Sequence, residues 1–209
     1  MLKKVIADVR KHVEGAYNRL DPKRFSQEPN YVAALFGRLD GVPFEKGRRR
    51  LEIISTLVND HGPGAAESEF GADFSIAAEI HTNRGVVRKS ILGQAKKGKV
   101  EKLPSNERRR LVDQCKLISL YTDALFVLET PEQIGDSPKV RIPIDLDKQE
   151  YSAPMELADY IVFEMLRCRH GDKRLDFYKA VQDSSLKGLR VITRDIDFSP
   201  SFSSPDFDL

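Results

Sequence analysis

Two phrases decide how this 209-residue chain reads: Glu67-Ser68-Glu69-Phe70-Gly71-Ala72-Asp73-Phe74 and Ile91-Leu92-Gly93-Gln94-Ala95-Lys96-Lys97-Gly98-Lys99. Strands are expected over 72–80 and 86–96, and Asn83-Arg84-Gly85 supplies the turn between them. Side chains alternate across a strand, so Gln94 and Lys96 share one face, and the hairpin brings that face beside Asp73. A carboxylate, an amide oxygen and a lysine converging there form a divalent-metal site suited to cutting a phosphodiester.

Each residue has a role in that chemistry. Asp73 is the central ligand. Gln94 offers a neutral oxygen, weaker than a carboxylate, and the backbone carbonyl of Ala95 adds another. Lys96 sits near the attacking water or the scissile phosphate. Burial beside a cation lowers its pKa and phosphate contact raises it, and both outcomes stay open. Gln94 lies in an otherwise apolar strand, where an amide needs hydrogen-bond partners or a metal to be tolerated.

Gly71-Ala72-Asp73 followed by Gln94-Ala95-Lys96 resembles the PD-(D/E)xK nuclease superfamily in a variant with Gln for the second acid. No Pro precedes Asp73. The resemblance covers residues 45–130, and the phrase Ala66 to Phe74 looks like a bacterial subgroup with an acid just before Gly-Ala-Asp. It implies an α/β, restriction-endonuclease-like core, with a mixed central sheet flanked by helices and extra helices at both ends. It also implies a Mg²⁺- or Mn²⁺-dependent endonuclease acting on DNA, double-stranded by preference, in bacterial defence or restriction. The acid that compensates for Gln94 is expected at Glu67, where the family-like phrase places one. Glu69, on the same strand face, comes second and Glu52 third. A Gln on the helix after the motif, Gln114 here, tends in similar proteins to face the site.

The chain carries 34 Lys and Arg against 32 Asp and Glu, a net charge of +2, so its positive charge must be concentrated locally to bind nucleic acid. Three runs do this: Arg48-Arg49-Arg50, the lysines Lys97 and Lys99 beside Lys96, and Arg108-Arg109-Arg110. Cys115 and Cys168 make neither a disulfide framework nor a zinc cluster. His12, His61, His81 and His170 lack zinc spacing. The start, Met1-Leu2-Lys3-Lys4-Val5, leads into an amphipathic pattern rather than a long apolar run, so the chain is expected in the cytoplasm and away from membranes.

Helices are expected over 2–19 (Val5, Val9, Val13 and Tyr17 on one stripe), 29–40, 48–59, 106–121, 154–167 and 173–182. A short extended piece covers 66–70. Ala124 to Leu128 is a buried strand, Val140 to Ile144 an edge strand because of Pro143, and Leu189 to Thr193 a further strand. The expected organisation is a helical extension at 1–44, the nuclease core at 45–130, an α/β elaboration at 131–198 and a disordered tail at 199–209. The apolar stripes at 5–17 and 157–166 exceed what a minimal core needs, which points to a homodimer or larger oligomer, and a partner protein from a defence system is a further expectation. Two other readings stay open: a catalytically inactive nucleic-acid-binding domain and an oligomeric scaffold.

Overall fold

The computed structural model describes residues 1–56, 70–82 and 85–198. Helix α1 (Leu2–Tyr17) forms as its four-residue stripe requires, burying Val5, Val9 and Val13. Helix α2 (Glu28–Leu39) starts with Pro29 in its first turn and buries Tyr31, Val32, Leu35, Phe36 and Leu39. Both pack on one face of an eight-stranded mixed sheet. Its strands are β1 (Gly41–Lys46), β2 (Arg49–Thr56), β3 (Phe74–Thr82), β4 (Gly85–Lys97), β5 (Leu125–Thr130), β6 (Lys139–Arg141), β9 (Met155–Glu156) and β10 (Lys187–Arg194), in the order β1-β2-β10-β3-β4-β5-β6-β9. Strands β7 (Pro143–Asp145) and β8 (Glu150–Tyr151) form a separate two-stranded ribbon.

Alternation along the strands divides the interior into two cores. Phe74, Ile76, Ala78, Ile91, Phe126, Leu128, Leu189 and Val191 face α1, α2 and a helical segment at 157–165, termed α4, whose residues Tyr160–Met165 are π-helical. Leu92, Leu125 and Val127 face the other way, against α3 (Ser105–Ser119) and α5 (Leu175–Asp183). The protein is therefore α/β, with helices on both faces of the sheet. Among the described residues no helix is long and apolar enough to cross a membrane.

Several expectations are corrected. The helix at 48–59 is absent over its described part: β1 and β2 form an antiparallel hairpin turning at Gly47, whose φ of +60° suits glycine. Leu51 and Ile53 are buried at period two while Ile54 is 37% exposed, so the residues read as a helical stripe obey strand alternation. Pro43 sits on the outermost strand, where no ladder donor is lost. Val140 to Ile144 splits between β6 and β7, and β6 is not an edge because β9 pairs outside it. The expected extended piece at 66–70 lies outside the described residues except for Phe70, and the tail at 199–209 lies outside them altogether.

Two features go beyond those boundaries. Strand β10, from the expected elaboration, lies between β2 and β3, so the sheet draws on strands outside 45–130. The stripe of α1 and the apolar side of α4 are buried in the chain's own core, so they are not the surplus surface on which the oligomer expectation rested.

Candidate functional site

Asp73 immediately precedes β3, where its amide donates to the Gly93 carbonyl at 2.9 Å. Its carboxylate Oδ2 accepts the Ala95 amide at 2.8 Å, which pins the side chain against β4. Phe74 pairs with Gly93, and the next residue along β4 is Gln94. Asp73, Gln94 and Lys96 are all buried, at 8%, 0% and 7% exposure. Leu92, Gln94 and Lys96 project from the α3 side of the sheet, as period-two spacing requires.

Gln94 donates its Nε2 to the Gly71 carbonyl, while its buried Oε1 has no hydrogen-bond partner among the described residues. A buried carbonyl oxygen without a donor loses its hydration at a cost of about 1–3 kcal/mol. Gly71 suits its place: its φ is +68°, and a Cβ there would approach Leu117 Cβ of α3 to 3.0 Å. Cys115 on α3 roofs this region. Burial pushes its thiol up to about 12, with Lys96 pulling it down and Asp73 pushing it up, so both charges lie within electrostatic reach. Gln114, beside Cys115, also has a buried Oε1 without a partner among the described residues.

The sheet brings further groups to this end. Lys96 stands in register with Glu129 on parallel β5, and Val127 with Arg141 on β6. Glu129 is 5% exposed and lies on the face of Leu125 and Val127. Its Oε1 accepts the Val100 amide at 2.8 Å and Arg141 Nη1 at 3.3 Å. Burial raises its carboxyl above the usual range, and the Val100 amide and Arg141 draw it back. Arg141 also donates to Glu101. Glu129 escapes the sequence reading because the expected strand ends at Leu128, and Arg141, inside the expected strand Val140 to Ile144, carries no motif that marks it. The available signal was an acid two residues beyond Val127 in a run otherwise buried.

The basic residues separate into two groups. Lys97 and Lys99 are exposed on the turn that leaves β4 at the Asp73 end, where the Gly98 amide donates to Thr130. Arg109 and Arg110 are exposed on α3, whereas Arg108 donates to the carbonyls of Glu101 and Leu103 and so braces the chain. Arg48, Arg49 and Arg50 are at the opposite end of the sheet. Arg50 pairs with Arg194 and Arg194 with His81, seven residues along β3 from Phe74, roughly 23 Å. The Arg50 guanidinium is already committed to Glu45 and Glu52. Glu52, the third choice of compensating acid, shares that distant end. Glu67 and Glu69 lie outside the described residues.

The oxygen donors suit a hard divalent cation: a carboxylate at Asp73 and, at Gln94, a buried amide oxygen that lacks a donor among the described residues. Among the described residues no group of three or more His, Cys, Asp and Glu gathers to hold a metal. Comparison with protein-family models, curated proteins and solved structures finds no match to this chain.

Proposed function

We propose that the chain is a metal-dependent endonuclease of the restriction-endonuclease-like kind, hydrolysing DNA phosphodiester bonds. The observation that carries this reading is the buried Oε1 of Gln94, without a partner among the described residues, one residue from the amide that fixes the Asp73 carboxylate. Magnesium or manganese, when bound, supplies Lewis-acid stabilisation and a water of lowered pKa. Asp73 and Gln94 would hold it, with Glu67 or Glu69 the acids proposed to complete the set. Lys96, on the same face, orients the attacking water or steadies the charge on the scissile phosphate. Lys97, Lys99, Arg109 and Arg110 hold the backbone on either side without reading sequence. A role in bacterial defence follows from the same resemblance.

The test is cleavage of supercoiled plasmid with Mg²⁺, Mn²⁺ or EDTA. Asp73→Ala and Lys96→Ala should each lower the rate by at least about 100-fold while melting stays near wild type. Gln94→Glu, which restores the commoner triplet, should keep activity. Full activity in either alanine variant overturns the assignment to this site.

A further inference from the structure

We infer that the groove between α1 and the outer strand β1 is a binding site for a nucleoside polyphosphate, separate from the Asp73 end of the sheet. The groove holds about 610 Å³, within the range of small-ligand sites. On α1, Lys11 and Gly15 stand one turn apart, and Arg19 follows at the same spacing just past the helix end. His12 donates its Nε2 to the Leu39 carbonyl at 2.9 Å, which holds the end of α2, and with it Arg38, against α1. Arg38 lines the same groove. The groove lies on the α1 side of the sheet, whereas Gln94 and Lys96 project from the α3 side, so ligand binding here does not depend on the nuclease reading.

The charge in the groove is one-sided. Its acids, Asp8 and Glu45, are already matched, Asp8 by Lys4 at 3.2 Å and Glu45 by Arg50 at 2.9 Å. Lys11, Arg19 and Arg38 are exposed and make no ion pair among the described residues. Unmatched cations converging on one space attract an anion of more than one charge. Gly15 leaves the surface between Lys11 and Arg19 open, since a Cβ there would meet nothing within 4 Å. Phosphates can approach the helix at that point, and the Arg38 guanidinium offers the paired donors that fit phosphate oxygens. The other wall differs in kind. It is made by Val42, which is 38% exposed, and Pro43, both on β1, and no strand lies beyond β1 among the described residues. A flat ring lies against those side chains with its polar edge toward the open backbone of β1. Cations on one wall and an apolar surface beside an open strand edge on the other suit a nucleoside polyphosphate. A bare polyanion would use only the first wall.

The test is titration calorimetry of the full chain with ATP, inorganic triphosphate and adenosine, in EDTA so that no metal draws phosphate to Asp73. ATP should bind, triphosphate more weakly, and adenosine more weakly still. Gly15→Glu places a carboxylate between the cations, and it should melt no lower than wild type, because glycine is a poor helix former and the space is open. It should weaken ATP binding at least about tenfold, and Lys11→Gln with Arg38→Gln should do the same by removing charge-assisted hydrogen bonds to phosphate. Val42→Ser should weaken ATP about threefold and leave triphosphate unchanged. Absence of ATP binding in the folded wild type overturns the site, as does ATP binding that neither charge variant alters. A DNA duplex that binds more weakly to Gly15→Glu, where ATP fails to bind the wild type, overturns the nucleotide assignment and makes the groove a nucleic-acid surface. ATP binding as expected in a wild type that cleaves no DNA upholds the groove and overturns the nuclease reading alone.

Discussion

Lys89 has no exposed surface, and its ammonium donates to the His170 carbonyl at 2.6 Å. Burial pulls its pKa down from 10.5 to about 8. The His170 ring lies 2.6 Å from the Tyr160 hydroxyl, and burial, helped by Lys89, lowers its pKa from 6.5 to about 4. Both folded-state values are depressed for groups that are cationic when protonated. The unfolded chain therefore binds more protons between pH 4 and 6.5 at His170, and between pH 8 and 10.5 at Lys89. Stability falls as pH drops through the first window and rises as pH climbs through the second. Allowing for solvent screening, the His170 contribution is about 2 kcal/mol, and His170→Gln should flatten the acid branch of a plot of Tm against pH by that amount. Lys89→Met should melt higher than wild type at pH 7 and lose the alkaline rise. An unchanged profile in both variants would show that neither group titrates as its surroundings require.

Among the elements, the β3–β4 hairpin depends on one close approach. A Cβ on Gly93 would lie 2.2 Å from Phe74 Cζ, and that ring is packed edge-on against Phe36 and tilted against Phe126. Gly93→Ala should destabilise the protein by about 3 kcal/mol or more, read from denaturant midpoints, because no neighbour of the ring can yield cheaply. On α3, Arg109→Gln with Arg110→Gln should weaken DNA binding and reduce its salt slope by about two units. Arg48→Gln with Arg49→Gln should change the slope less, since that hairpin is far from Asp73. The opposite ranking would mean that DNA lies along the β1–β2 end.

The α1 stripe, the β3–β4 hairpin and the Asp73, Gln94 and Lys96 grouping were legible because each rests on local periodicity or on a triplet within one strand. The β1–β2 hairpin was not. Leu51, Ile54, Leu57 and Val58 fit a helical stripe as well as a strand when only spacing is counted, and the deciding fact, pairing with β10, is made some 140 residues away. Glu129 was hidden for a related reason: its ion-pair partner, Arg141, stands on another strand.

At the scale of the whole molecule, α1, α2 and α4 form one layer over the sheet, and their apolar faces are closed within the chain. A fragment of residues 45–130 lacks that layer and also lacks β10, leaving β2 and β3 without the strand that joins them. Such a fragment should show no cooperative melting by circular dichroism, whereas the full chain should melt in a single transition. A cooperative fragment with native-like dichroism would mean that β2 and the β3–β4 hairpin hold together without the central strand.

The central place of β10 also sets an order of events. It pairs antiparallel with β2 and parallel with β3, yet among the described residues it is the last strand of the sheet to leave the ribosome. Until Lys187–Arg194 emerges, the β1–β2 hairpin and the β3-to-β6 half-sheet each present an open backbone edge to the other and to other chains. Closure must then bring together segments far apart in the sequence, which slows folding and lengthens the exposure of those edges. The nascent chain is thus most open to misassembly just before its final strand is made, and a chaperone that shields sheet edges would act at that moment.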